Sequence, residues 1–150
     1  MEFLTAITFV KDQILLDPRV ITITHGTSDT IDLDKKTVYP LVHVQCTNSA
    51  IGKGVIVFSY ELHFLVIRDI CKTVIKDKWL GNDNEFENMD LTFNMINLLV
   101  TRLKLQRNDL DILVQNLANP IPGMMPIFAN MLDGWKLTLD LEIGNNIVVC

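Results

Sequence analysis

The sequence lacks any run of about 18 uncharged apolar residues, so no segment is predicted to span a membrane. Its first residues, Met1–Leu4, also lack the basic flank that is typical of a signal peptide. What is present is a chain of 150 residues, 49% hydrophobic and 21% charged, which are the proportions of a globular protein with a buried core. We therefore expect one structural domain over residues 1–150, made inside a cell.

Cysteine and positive charge are both scarce. The three cysteines, Cys46, Cys71 and Cys150, are an odd number without close spacing, which argues against a disulfide framework and against a zinc site. The 13 basic residues are outnumbered by 18 acidic ones, giving a formal net charge of −5. This balance argues against broad binding to nucleic-acid phosphates, which requires clustered positive charge.

Apolar residues recur with the period of an α-helix in two segments of the chain. The first stripe is Phe3, Ile7, Val10 and Ile14, and the second is Met89, Phe93, Ile96, Val100 and Leu103. Pro18 removes a backbone donor, so the first helix should end near Asp17. The acidic and amide residues 82–85 are interpreted as the N-terminal cap of the second helix.

Alternation of apolar and polar residues predicts strands over 19–24, 38–46, 55–69 and 135–143, and a short one over 109–114. Loops are expected at 48–54, 81–87 and 119–126. This pattern predicts an α+β fold with an antiparallel or mixed sheet of about four to five strands and two main helices packed on one face. The core face of the sheet should carry Phe58, Tyr60, Leu62, Phe64, Trp135, Leu137, Leu139 and Leu141.

Residues with catalytic or metal-binding chemistry do not form a convincing constellation. His25, Ser28 and Asp29 stand too close together in one turn for a catalytic triad. His43 and His63 lie on neighbouring predicted strands and could meet across the sheet, but a metal would need a third ligand. Two exposed cross-strand side chains are the simpler interpretation. We expect no catalytic site, no cofactor and no enzymatic activity.

The order of several short signals is more informative. A tyrosine-proline strand begins at 38–42, a long strand ends in aspartate at 60–69, Asn84-Glu85 leads into a helix, and a glycine-tryptophan strand follows at 128–139. In this order the chain resembles the tail-terminator and head–tail neck (connector) proteins of tailed bacteriophages, over roughly residues 38–143.

The resemblance implies a tail-terminator-like fold and a structural role in the virion. It implies a homo-oligomeric ring at the portal–tail junction that contacts the portal or adaptor and the tail proteins. DNA would pass through the channel of this ring without specific binding, and an acidic subunit suits that role because like charges repel phosphate. The alternatives are a cytosolic protein-interaction or adaptor module unrelated to phage, and a small-molecule enzyme or binding protein.

A subunit interface is predicted at the strand over 55–69, which is longer than a usual strand and follows a glycine-flanked connection. Apolar residues within the otherwise polar segment 69–84 extend the predicted interface, since exposed apolar clusters mark partner surfaces. The predicted interface residues are Ile51, Lys53, Val55, Val57, Val74, Ile75 and Trp79. In the alternative interpretation, Trp79 and its neighbours cap the open end of the core.

Overall fold

The structure is a computed structural model that describes residues 2–32, 38–69, 79, 84–105, 112–117, 120–127 and 131–145. Its helices are α1 (Glu2–Leu15), a short 3₁₀ helix (Ser28–Asp32) and α2 (Glu85–Leu105). Its strands are β1 (Thr22–His25), β2 (Leu41–Ile51), β3 (Val55–Ile67), β4 (Ile112–Gln115), β5 (Gly123–Ile127) and β6 (Leu132–Gly144).

The described strands form one mixed sheet. Its main path is β1–β2–β3–β6–β4, and β5 pairs with β6 beside that path. The first two strands are parallel, whereas β2, β3, β6, β4 and β5 pair antiparallel. The predicted α+β class with a mixed sheet and two main helices is therefore confirmed.

The core lies between the two helices and one face of the sheet. Every second cross-strand pair of β3 and β6 lies on this face, as do the pairs Tyr60–Leu139 and Leu62–Leu137. These side chains join residues of both helices in a single apolar cluster. Seven of the eight predicted sheet residues are buried, and Trp135 is partly buried at the rim. The prediction of this core face is confirmed.

Both predicted helical stripes are only partly correct. Phe3 is 48% exposed and Phe93 is 42% exposed, so neither is a core residue. Each packs at the rim instead, with the Phe3 ring edge-on to Phe58 at 5.5 Å and the Phe93 ring edge-on to Trp135 at 5.3 Å. The other stripe residues Val10, Ile14, Met89, Ile96 and Leu103 are buried as predicted. Further inward positions are Ala6, Phe9, Gln13, Thr92, Met95 and Leu99.

Two predicted loops contain strands. The predicted loop over 48–54 is wrong in its first half, because β2 continues to Ile51 and only residues 52–54 turn. Gly54 adopts a φ of 80°, a conformation that favours glycine, and the Gly52 amide donates to the Val55 carbonyl at 2.9 Å. The predicted rigid loop over 119–126 contains most of β5. A proline is tolerated there because β5 pairs with one strand only, as far as the described residues go.

Candidate protein-interaction surface

The far end of the β2–β3 hairpin has an open backbone edge. Strand β1 covers β2 only from Leu41 to Val44, and within the described residues no strand covers the remainder, Gln45–Ile51. These seven residues contain no charge and no proline. Proteins usually protect free edges with such residues or with bulges. Among the described residues, the only such protection is a register shift between Cys46 and Asn48, so that, as far as these residues go, the edge can accept another strand.

The predicted interface residues of the hairpin surround this edge. Ile51 ends β2 and is 79% exposed. Lys53 is exposed in the turn, and Val55 and Val57 are half-buried on β3. The structure thus brings four of the predicted residues together, and whether they contact a partner stays a prediction.

The other predicted interface residues lie apart from the hairpin in sequence. Trp79 is 80% exposed and stacks on Phe86 of α2, with ring centroids 6.2 Å apart and planes at 15°. Val74 and Ile75 lie outside the described residues.

On the sheet face opposite the helices, His43 and His63 are directly paired across β2 and β3. Their rings meet edge-to-face with centroids 6.1 Å apart. The interpretation of both as exposed side chains is wrong, because His43 is fully buried and only 4% of His63 is accessible to solvent. A second, smaller apolar cluster of Ile31, Leu41, Leu65 and Leu132 includes the cross-strand pair Leu41–Leu65, which lies two residues along the strands from the histidine pair.

Burial lowers the pKa of both histidines, since a low-dielectric surrounding disfavours the charged imidazolium. The His43 ring contacts the Thr24 hydroxyl at 2.8 Å and the Gly26 carbonyl at 3.2 Å. Among the described residues the His63 ring nitrogens have no hydrogen-bond partner, and the Glu61 carboxylate lies 3.6 Å from Nε2. Glu61 itself pairs with Lys136 at 3.1 Å.

The polar row formed by His43, His63, Glu61 and Lys136 does not assemble a metal site in the part of the chain that the structure describes. No group of three histidine, cysteine, aspartate or glutamate side chains is arranged there to hold an ion. Both His43 nitrogens are already engaged, and Cys46 lies on the opposite sheet face, as the strand period predicts. The row is best explained as a buried polar layer inside the fold.

An apolar groove runs between α1 and the edge strand β1. Its cavity of 520 Å³ is lined by Phe3, Leu4, Ile7, Thr8, Lys11, Ile23, Thr24, His25 and Val44. A second cavity of 290 Å³ shares four of these residues and extends to Gln45 and Cys46, where the open edge of β2 begins. The groove and the open edge are therefore continuous.

A buried ionic network fixes α2 to the sheet, and sequence reasoning missed it. The Arg68 guanidinium donates to the fully buried Asp133 carboxylate at 2.6 Å and contacts Glu85 at 2.7 Å. Asn88 donates to Asp133 at 3.3 Å and to the Ile67 carbonyl at 3.1 Å. Of residues 82–85, which were expected to cap α2, 82 and 83 lie outside the described residues, and the Asn84 side chain accepts a hydrogen bond from the Asp69 amide at 2.7 Å. These contacts span up to 65 residues, so local patterns do not reveal them.

Comparison with known proteins does not assign the chain to a family. No protein-family model matches the chain, and no curated protein is significantly similar to it. Neither α1 nor α2 is long and apolar enough to cross a membrane.

Proposed function

We propose that this chain is a structural protein of a tailed phage virion that forms a ring at the portal–tail junction. The ring would be a neck, connector or tail-terminator layer that joins head to tail around the DNA channel. The observation that carries the proposal is the open, uncharged edge of β2 at Gln45–Ile51, which ends in the exposed Ile51. A free edge of this kind pairs readily with a strand of another subunit.

The charge distribution supports the same proposal. The sheet face opposite the helices carries Asp140 and Glu142 near the open end, and the whole chain has a net charge of −5. Such a face suits the lining of a channel through which DNA slides, because it repels phosphate. The order of sequence signals shared with neck and tail-terminator proteins supports the class. No catalytic activity belongs to this function.

The alternative is a cytosolic interaction or adaptor module unrelated to phage. The groove between α1 and β1 favours it, since an apolar groove beside an edge strand suits an extended peptide. An adaptor would bind such a peptide as a monomer, whereas a ring subunit must associate with itself.

Electron microscopy of the purified chain, alone and with a phage portal protein, tests the proposal. We expect closed rings of uniform diameter, formed by the chain itself or templated on the portal. A chain that stays monomeric under both conditions contradicts the proposal and favours the adaptor.

A further inference from the structure

The first turns of α2 carry exposed aromatic side chains. Phe86 and Phe93 are 44% and 42% exposed and stand about two helical turns apart, so they lie on the same side of the helix. The indole of Trp79, which is 80% exposed, stacks on the Phe86 ring. Asp90 lies between the two phenylalanines on this side of α2 and is also exposed. These four residues, Trp79, Phe86, Asp90 and Phe93, form the aromatic patch.

The groove between α1 and β1 is a concave surface of matching character. It encloses 520 Å³ and its lining is mostly apolar, with Phe3 and Leu4 of α1 still 48% and 57% exposed. Among the described residues that line it, Lys11 is the only one with a permanent charge. Cavities of this size bind apolar groups, and aromatic side chains are enriched among the residues that anchor protein interfaces. The groove therefore offers space for an aromatic anchor beside one positive charge.

The charges beside the two surfaces are of opposite sign. Lys11 lines the groove, whereas Asp90 lies within the aromatic patch and the exposed Glu87 stands beside it on α2. None of the ion pairs found among the described residues involves these three side chains. Complementary charges select a partner, so they favour contact of a groove with a patch over contact of two grooves or of two patches.

Within one chain the aromatic patch does not meet the groove. At the patch, the Phe93 ring packs edge-on against Trp135, which is paired with Phe64 of β3. At the groove, the Phe3 ring packs edge-on against Phe58 of the same strand. Phe58 and Phe64 are six residues apart, which is about 20 Å along a strand. The two surfaces can therefore come together only between copies of the chain.

We propose that the aromatic patch of one copy docks into the groove between α1 and β1 of the next. This inference rests on the proposed ring and names its contact. The rings of Trp79 and Phe86 fill the groove and cover Leu4, and Asp90 pairs with Lys11 of the neighbouring copy. Because the groove and the patch are different surfaces, the contact is heterologous and closes into a ring when its rotation per subunit fits.

This contact also places the neighbouring copy beside the open edge of β2. The second cavity, of 290 Å³, connects the groove to Gln45 and Cys46, where that edge begins. A subunit that fills the groove therefore lies next to the edge and is positioned to cover it. The groove and the open edge then belong to one interface.

Two variants that each block one half of the contact test it. Leu4→Glu places a carboxylate in the groove and leaves the patch intact, whereas Phe86→Glu places one in the patch and leaves the groove intact. Both positions are exposed in the first turn of a helix, so both variants should fold, as a thermal melt will verify. Neither variant alone should form rings. An equal mixture should form a heterodimer that contains one intact contact, as analytical ultracentrifugation will measure.

The outcomes separate this contact from other occupants of the groove. Either variant that forms rings as the wild type does would overturn the contact, leave the proposed function intact, and leave the groove to another occupant such as an extended peptide. Where the wild-type chain forms rings by itself, a mixture that stays monomeric would overturn the contact as well.

Exchange of the charge pair provides a second measurement, which also applies to rings templated on a portal. Lys11→Glu and Asp90→Lys each place like charges across the contact, and either should abolish rings in electron micrographs. The double variant Lys11→Glu/Asp90→Lys reverses the pair and should restore them. Lys104→Glu, at an exposed position near the other end of α2, makes the same change of net charge as Lys11→Glu and should leave rings unchanged.

Each result of the charge exchange decides the matter. Single variants that form rings as the wild type does, or a double variant that does not recover them, would refute the pairing of patch and groove while the proposed function stands. Absence of rings from the wild-type chain, both alone and with a portal protein, would contradict this contact and the proposed function together.

Discussion

The buried histidine pair makes the stability of the monomer depend on pH. The pKa of His43 and of His63 is lowered by burial in the folded chain, whereas an unfolded histidine titrates near 6.5. Below about pH 6.5 the unfolded state therefore binds more protons than the folded state. The free energy of unfolding should fall by up to about 1.4 kcal/mol per pH unit for each histidine as the pH decreases from 6.5 towards 5.

Urea unfolding at pH 7.0, 6.0 and 5.0 measures this dependence. His63→Leu removes one of the two titrating groups and should flatten the profile. Thr8→Ala is the matched control, since Thr8 is exposed on α1 and has no ionisable side chain, so its replacement should leave the profile unchanged. A wild-type profile that is flat over this range would contradict the buried, neutral state of the pair.

Leu139 tests the position of the core at the level of one side chain. It is 2% exposed between the helices and the sheet. Leu139→Ala should lower the free energy of unfolding by about 2–5 kcal/mol, through lost burial and the cavity left behind. Leu105→Ala, at a side chain 79% exposed, should change it by less than about 0.5 kcal/mol. Equal effects of the two substitutions in urea unfolding would show that the core is elsewhere.

At the scale of elements, β6 approaches β3 so closely that one position requires glycine. A Cβ at Gly134 would collide with the Phe64 carbonyl oxygen and lie 3.2 Å from the Leu65 Cα, both in the backbone of β3. Gly134→Ala should therefore cost about 1–3 kcal/mol or more. Gly144→Ala is the matched control near the end of the same strand, because a Cβ there meets no atom within 4 Å. Thermal melts that shift equally for both would contradict the close approach.

The sequence predicts the elements well where one face is buried and the other is not. Strand β6 alternates cleanly from Trp135 to Ile143, and its core face is as expected. The end of β2 was missed because Thr47–Ala50 are exposed and small or polar, so no alternation marks them as a strand. Pairing with β3 decides their conformation, and that pairing is not visible locally.

The buried state of the histidines was missed for a related reason. Alternation identified the sheet face that carries His43 and His63 but not what covers it. The His43 ring contacts the Thr24 hydroxyl and the Gly26 carbonyl, which lie 19 and 17 residues away in the sequence, so local alternation does not reveal these contacts. The helical periodicity wrongly predicted Phe3 and Phe93 as core residues, because an aromatic ring at the edge of a core satisfies the same periodicity as one inside it.

At the scale of the whole molecule, the open edge of β2 connects the monomer fold to the proposed ring. Within the described residues this edge is an uncharged strand end with the exposed Ile51, and no strand of the same chain covers it. A strand of a neighbouring subunit would cover it. The sheet face opposite the helices, which carries Asp140 and Glu142, would then suit a DNA channel.

A structure of the assembled particle by electron cryo-microscopy tests this account most directly. We predict closed rings in which the β2 edge at residues 45–51 of each subunit is covered by the next subunit, and in which Ile51 is buried. Rings in which residues 45–51 contact only their own chain would contradict the assignment of this edge to the subunit interface. Particles that contain the chain only as isolated monomers would contradict the proposed function itself.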